Sequence, residues 1–550
     1  VLVLPVRVVR LRPRAPERLL IAPQDIRTAD PTIAADIAAG YFAFGGKIVN
    51  AGRRSPFAIE PATDSSARSD ATWSRALAGF GWLRHLRAVD QPAAGQRARA
   101  LVAAFLDAHA RPSPAIAWVP RVAARRLLAW LSQSPVLLAS ADRAFYTRFM
   151  LSLATHRALL ARRLGGGLDG DDRLVVALAL AAYGLCVADG GAFNRSGTAA
   201  LAAEIDAQIL PDGGHISRNP QILIDLLLDL LPLRHAYAAR GIQAPQQLLN
   251  AIDRMMPMLR LFRHGDGALA LFNGMGVTAP ELVATILAYD DARAQPLTNA
   301  RYAGYQRLET AGTVIVIDAG PAPPQAFSSQ AHAGCLAFEL SSGIRRLIVN
   351  CGAPEVSRAN AREASRMTAA HSTLVVDDTS SCRFAAGAGL GRWLGDEILA
   401  GPTVVTSERT EYDAGTSVTL SHDGYVARFG LVHHRTLVLS RDGDRLEGCD
   451  RLEATVKRAP LIVPYAVRFH LHPSVKAHAN EDGSVVRLDA PDGESWLMEA
   501  DVPAVVEPSI LFAAAGGPRQ TTQIKLAADT ERLEVRWHFQ RIAVAEPRRR

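Results

Sequence analysis

The chain has 550 residues, 49% hydrophobic and 21% charged, an ordinary globular composition that allows about two to four domains and excludes a disordered or fibrous chain. Lys and Arg number 61 against 54 Asp and Glu, a net charge of +7. That excess is small for the length and comes without zinc-finger spacing or an RNP-like aromatic cluster, so nucleic acid is excluded as partner, while an acidic polymer is compatible.

Part of the positive charge sits in Arg7, Arg10, Arg12 and Arg14 and in Arg548, Arg549 and Arg550, read as solvated termini. The first residues interleave Arg with Val around Pro5 and do not make a basic region followed by an apolar one, so no leader is read there. Residues 1–68 read as a segment packing on the helical region, with Tyr41, Phe42 and Phe44 in a short strand or loop. From 69 to 298 the apolar residues recur at helical spacing, as in Trp73, Leu77, Phe80 and Leu83. Ala, Leu and Arg dominate, and short Gly- or Pro-containing breaks separate successive helices. Met255, Met256 and Met258 read as core. No apolar run reaches the ~18 residues of a membrane-spanning helix.

Near Pro296 the period changes from 3.6 to 2. Short β-branched runs follow, such as Thr313–Asp318 (TVIVID), 435–440 (RTLVLS) and 532–539 (RLEVRWHF), with turn residues between them. Residues 299–550 therefore predict an antiparallel β-sandwich. Cys186, Cys335, Cys351, Cys382 and Cys449 form no CxxC pair and read as reduced, mostly buried small hydrophobes.

Three blocks in this order carry a resemblance. Residues 331–340 (AHAGCLAFEL) lead into 347–352 (LIVNCG), then 366–376 (RMTAAHSTLVV), and Asp212-Gly213-Gly214-His215 precedes them in the helical part. The chain resembles the heparinase II/III family of polysaccharide lyases. The resemblance implies an N-terminal (α/α) incomplete toroid followed by an antiparallel β-sandwich. It also implies β-elimination on an acidic, uronate-containing polysaccharide and, by analogy, a periplasmic location, whereas the first residues by themselves read as cytoplasmic, so that both locations stay open. Such a reaction needs the uronate carboxylate neutralised, a base for the C5 proton and an acid for the leaving oxygen.

Residue by residue, the family's catalytic sandwich histidine falls on Gln330, and the next histidine is His332. A metal set of two His and one Asp falls on His332, Asn350 and His371. The toroid's Asn-His pair falls on Asp171-Asp172, and its Tyr near Ile222-Leu223. Gln330 cannot exchange a proton as His does. Asn350 offers a neutral carbonyl, so Zn²⁺ is expected to bind weakly if at all. Asp171 and Asp172 would repel a uronate unless protonated or paired with Arg. His215, Asn219, Gln330 and His332 are therefore the catalytic candidates, with His215 carrying the proton. Arg218, Asn273, Tyr305 and Arg366 are the candidates for holding substrate. Capping of helices by His215 and Asn219 stands as the alternative, since Asn before Pro220 suits a helix start. The functional alternative is a catalytically impaired relative that binds acidic glycan or serves envelope assembly.

Overall fold

A computed structural model describes residues 13–543 except 53, 60–66, 90–91, 189, 291–292, 356–358, 386–395 and 456–461. The basic residues Arg7, Arg10, Arg12 and Arg548–Arg550 lie outside the described residues. Among the described residues, no helix is long and apolar enough to cross a membrane.

The chain divides into two compact units, one of Val1–Asp206 with Leu228–Leu249, the other of Ala207–Leu227 with Asn250–Arg550. The sequence-based boundary at 298/299 marks the change of secondary structure. Compactness instead groups 250–298 and a short helical stretch with the strands.

The first unit is helical. Tyr41–Phe44 and Lys47–Asn50 form a small antiparallel hairpin beside its helices. Helix Arg143–Leu164 starts where the Asp142 carboxylate accepts from the Phe145 amide, satisfying a donor that the helix leaves open. Helix Asp172–Cys186 is apolar on every side and buried from Leu174 onward, as a central helix should be. Arg126 is fully buried, its guanidinium 4.4 Å from the Phe105 ring centroid, with Nη1 donating to the Ala78 and Ala117 carbonyls. The aromatic face and the carbonyls offset part of the desolvation that holds its pKa down at about 9. Asp171 and Asp172 are both paired with Arg121, at 2.8 and 2.9 Å.

The second unit holds two large sheets and a two-stranded one, Arg383–Phe384 with Ile398–Ala400, and every strand ladder among the described residues is antiparallel. The nine-stranded sheet runs Ala504–Leu511, Arg519–Asp529, Pro464–Leu471, Arg345–Val349, Phe338–Ser342, Thr313–Asp318, Tyr305–Thr310 and Asn299–Ala300, with Leu374–Val376 also paired to Pro464–Leu471. The eight-stranded sheet runs Val405–Tyr412, Gly415–Tyr425, Leu431–Ser440, Arg445–Ala454, Glu534–Ala543, Ser495–Ala500, Val485–Asp489 and Lys476–Ala479. Leu431–Ser440 alternates buried and half-buried residues, the period-2 signature of one face turned to a core. That core takes Leu308, Ile317, Phe338 and Phe469 from one sheet and Val418, Leu437, Trp496 and Trp537 from the other, which makes the pair a sandwich. Arg435 ties the layers together. It pairs with Asp450 and donates to the carbonyls of Leu336 and Ser372, both at 2.9 Å.

Helical segments of this unit are bound to the sheets by buried polar contacts. Glu339, wholly buried, accepts from His264 Nε2 and from the Leu271 amide, each at 3.1 Å. Arg307 donates to the carbonyls of Leu261 and Arg263. The five cysteines are free thiols, four buried and Cys449 half-buried.

Candidate functional site

Within the sandwich unit a cavity of about 410 Å³ is lined by Gln221, Gly274, Gly276, Gln330, His332, Glu355, Arg362 and Arg366, among others. Its size and mixed lining suit a small-molecule or single-residue subsite of a polymer. The walls come from the start of helix Pro220–Ala239, the loop after Phe272, the loop before Phe338–Ser342 and helix Ala359–Arg366. Gly274 has φ +92°, and a Cβ there would sit 2.8 Å from the Gln330 carbonyl and 2.9 Å from Asn219 Nδ2. Only glycine lets these loops approach so closely.

Four of the eight residues predicted from sequence to act on substrate turn instead into the protein. His215 is buried, with Nδ1 accepting from the Ser217 amide at 3.1 Å and Nε2 donating to Gln208 Oε1 at 3.1 Å. Its ring does not line the cavity, and the arrangement gives the proton-transfer role expected of His215 no support there. Arg218 is likewise turned away from the cavity. Its guanidinium donates to the carbonyls of Ala303, Gly304, Gly320 and Pro321 and pairs with Asp318. Burial alone would lower its pKa, but the neighbouring carboxylate more than reverses that and keeps the cation charged. Asn273 donates to the Tyr305 hydroxyl at 2.7 Å and to Asp318 at 3.1 Å, while its Oδ1 accepts from the His332 amide at 3.2 Å. Tyr305 is buried, donates to the Arg218 carbonyl, and has its phenol pKa raised by burial. Arg218, Asn273, Tyr305 and Asp318 thus form one buried network that holds the loop bearing His332. Arg218 and Asn273 both have positive φ, +62° and +46°, a strained backbone that such a network can sustain.

Three of the other four candidates line the cavity, and Asn219 lies beside one of them. Asn219 caps its helix, accepting from the Gln221 amide at 2.9 Å, and its Nδ2 is 3.5 Å from Gln330 Oε1. Gln330, His332 and Arg366 line the wall. Arg366 donates to the carbonyls of Ala331 and Ser328 and lies 4.3 Å from the Phe384 ring centroid. Arg362, Glu355 and Gln221 were not anticipated. Arg362 pairs with Asp396 at 3.2 Å. Its spacing four before Arg366 puts both on one helix face, the signal that could have revealed it.

His332, Asn350 and His371 are drawn into one region. His332 Nδ1 is 3.1 Å from His371 Nε2, and Asn350 Oδ1 accepts from the amide of Ser372, next to His371. They do not fit a zinc site. The third position is a neutral amide whose carbonyl already accepts from the Ser372 amide and whose Nδ2 donates to Glu339 at 3.2 Å. Among the described residues no group of three His, Cys, Asp or Glu side chains could hold a metal. Burial pushes His332 well below the usual histidine range and His371 down to about 4, so both rings are neutral near pH 7.

A helical region ahead of an antiparallel sandwich is the architecture of the heparinase-type structures that this chain resembles. A model of the heparinase II/III-like C-terminal domain matches residues 292–540. FtsZ-localized protein C of Caulobacter vibrioides (strain NA1000 / CB15N) is 32% identical over 539 residues, covering 95% of this chain and 90% of that protein. Among solved structures, a heparinase III aligns with a TM-score of 0.70 at 13% identity, covering 98% of this chain and 88% of that one. A heparan sulfate lyase, HepC, from Pedobacter heparinus aligns at 0.60 with 15% identity, covering 96% and 85%. The chain belongs to the heparinase II/III-like family, and the toroid-then-sandwich fold class expected from its sequence is the one it has.

Proposed function

We propose that this protein binds an acidic polysaccharide in the cavity of its sandwich unit and does not cleave it by β-elimination. The observation that carries this reading is the cavity wall itself. Arg362 and Arg366 supply positive charge for a carboxylate, whereas Gln330 stands where the resemblance requires a proton-transferring histidine. Cleavage rested on His215, whose ring is buried and bonded at both nitrogens. The family and fold support recognition of a polysaccharide chain, and the uronate is the finer part of the proposal. The test is incubation of the full chain with hyaluronan, heparosan, alginate and polygalacturonate, following both calorimetric binding and absorbance of unsaturated uronate. Binding without absorbance is expected. Neither binding nor product with any of them would defeat the reading.

One observation favours a second reading, elimination with a displaced base: His332 also lines the cavity. Unsaturated product lost in His332→Gln would establish that reading instead. The Caulobacter relative is named for localisation with FtsZ. A corresponding role in envelope assembly at the division site is proposed for this chain, and a fluorescent fusion absent from that site would rule it out.

A further inference from the structure

His332 and His371 occupy the positions where a metal set was expected, yet their nitrogens are arranged for another purpose. His371 Nδ1 lies 2.9 Å from the Met367 carbonyl oxygen. A carbonyl only accepts, so this nitrogen carries the proton. In a neutral ring Nε2 then holds the lone pair. That lone pair is 3.1 Å from His332 Nδ1, which must be the protonated nitrogen of its own ring. One backbone carbonyl thus determines both tautomers in succession. The remaining nitrogen, His332 Nε2, keeps a lone pair on a ring that lines the cavity.

We propose that the His332–His371 pair is a tautomer lock in place of a metal: His371 is a positioning residue that holds the proton on His332 Nδ1, so that Nε2 offers an acceptor to a hydroxyl-bearing group in the cavity. A sugar hydroxyl fits, because it can donate. A carboxylate does not, because two acceptors repel, and it is left to the arginines. The ligand's identity rests on the glycan reading above, whereas the tautomers are a property of the protein alone.

Asn350 secures the lock from behind. Its carbonyl satisfies the buried Ser372 amide, and its amide nitrogen satisfies Glu339. Coordination of a metal by that carbonyl would compete with the hydrogen bond it accepts from the buried Ser372 amide. An aspartate at 350 would set a second carboxylate beside Glu339, so Asn350→Asp is not expected to create a zinc site.

The test uses the full chain with ¹⁵N-labelled histidine, His332 being assigned by the resonance lost in His332→Gln. Long-range ¹H–¹⁵N spectra should show His332 protonated at Nδ1 and bare at Nε2. One equivalent of Zn²⁺ should leave both rings unshifted, in wild type and in Asn350→Asp. His371→Gln, whose amide oxygen can still accept, should keep the His332 tautomer, and His371→Leu should release it. With hyaluronan oligosaccharide as probe, His332→Phe should lose about tenfold in affinity, the equivalent of one hydrogen bond. A proton on Nε2 in wild type, or stoichiometric zinc shifting both rings, would overturn the lock, even should His371→Leu fail to fold. The Nδ1-protonated form in a protein that binds no glycan would support the lock and count against the glycan reading alone.

Discussion

Arg218 stands beside an asparagine and close to a histidine, which in sequence looks like a cation offered to a substrate. Its hydrogen-bond partners lie 85 to 103 residues further along the chain, where no local pattern reveals them. The same holds for Asn273, whose partners Tyr305 and Asp318 are 32 and 45 residues away. Gln330, His332, His371 and Arg366 were legible because a family block identifies them directly, whereas burial of His215 was not, since Gln208 and Ser217 are ordinary helix and turn residues. The buried pair gives a quantitative expectation. Asp318→Ala leaves the Arg218 cation without its carboxylate, and breaking a buried pair this way costs about 3–5 kcal/mol. Urea denaturation of the variant should show a loss of that size. A change below about 1 kcal/mol would mean that the surrounding carbonyls suffice for the charge.

Strands were readable where apolar residues alternate without interruption, and they were missed where the pattern is masked by charge or glycine. Arg445–Ala454 (RLEGCDRLEA) is such a case, since its inward positions include Gly448 and Asp450. Gly448 is there because the Trp537 ring lies against it: a Cβ would come within 2.1 Å of Trp537 Cζ2. That ring stacks on Phe338, with centroids 5.7 Å apart, and meets Phe469 edge-on at 4.8 Å. Gly448→Val should therefore displace Trp537, costing at least the roughly 1–3 kcal/mol typical of overpacking, with a lower melting temperature and an altered near-ultraviolet tryptophan dichroism. An unchanged tryptophan signal would contradict the packing described. Ala504–Leu511 was missed for another reason, its Pro508, which is tolerated because this strand is the edge of its sheet.

Across the molecule, buried neutral histidines set how stability responds to acid. Burial brings the folded pKa of His371 and His472 down to about 4 and that of His470 to about 3, from an ordinary 6.5. Because the unfolded chain binds these protons more readily, stability is full above about pH 6.5 and falls as pH drops towards 4. Each such group contributes a slope of about 1.4 kcal/mol per pH unit within that window. Urea midpoints should decline steadily from about pH 6.5 to 5, and a flat profile would show these rings to be solvated. The helix-to-strand transition near Pro296 was plain in the sequence, but it is no place to cut the protein. Residues 299–550 taken alone would leave Glu339 without His264 and the Leu271 amide, Asp318 without Arg218 and Asn273, and Arg307 without two carbonyls. Such a fragment should fail to give a soluble, cooperatively melting species, and one that melts normally would disprove the dependence. For anyone grafting this sandwich onto another scaffold, or exchanging it between relatives, residues 207–227 and 250–298 are not a neighbour's property but part of the cargo.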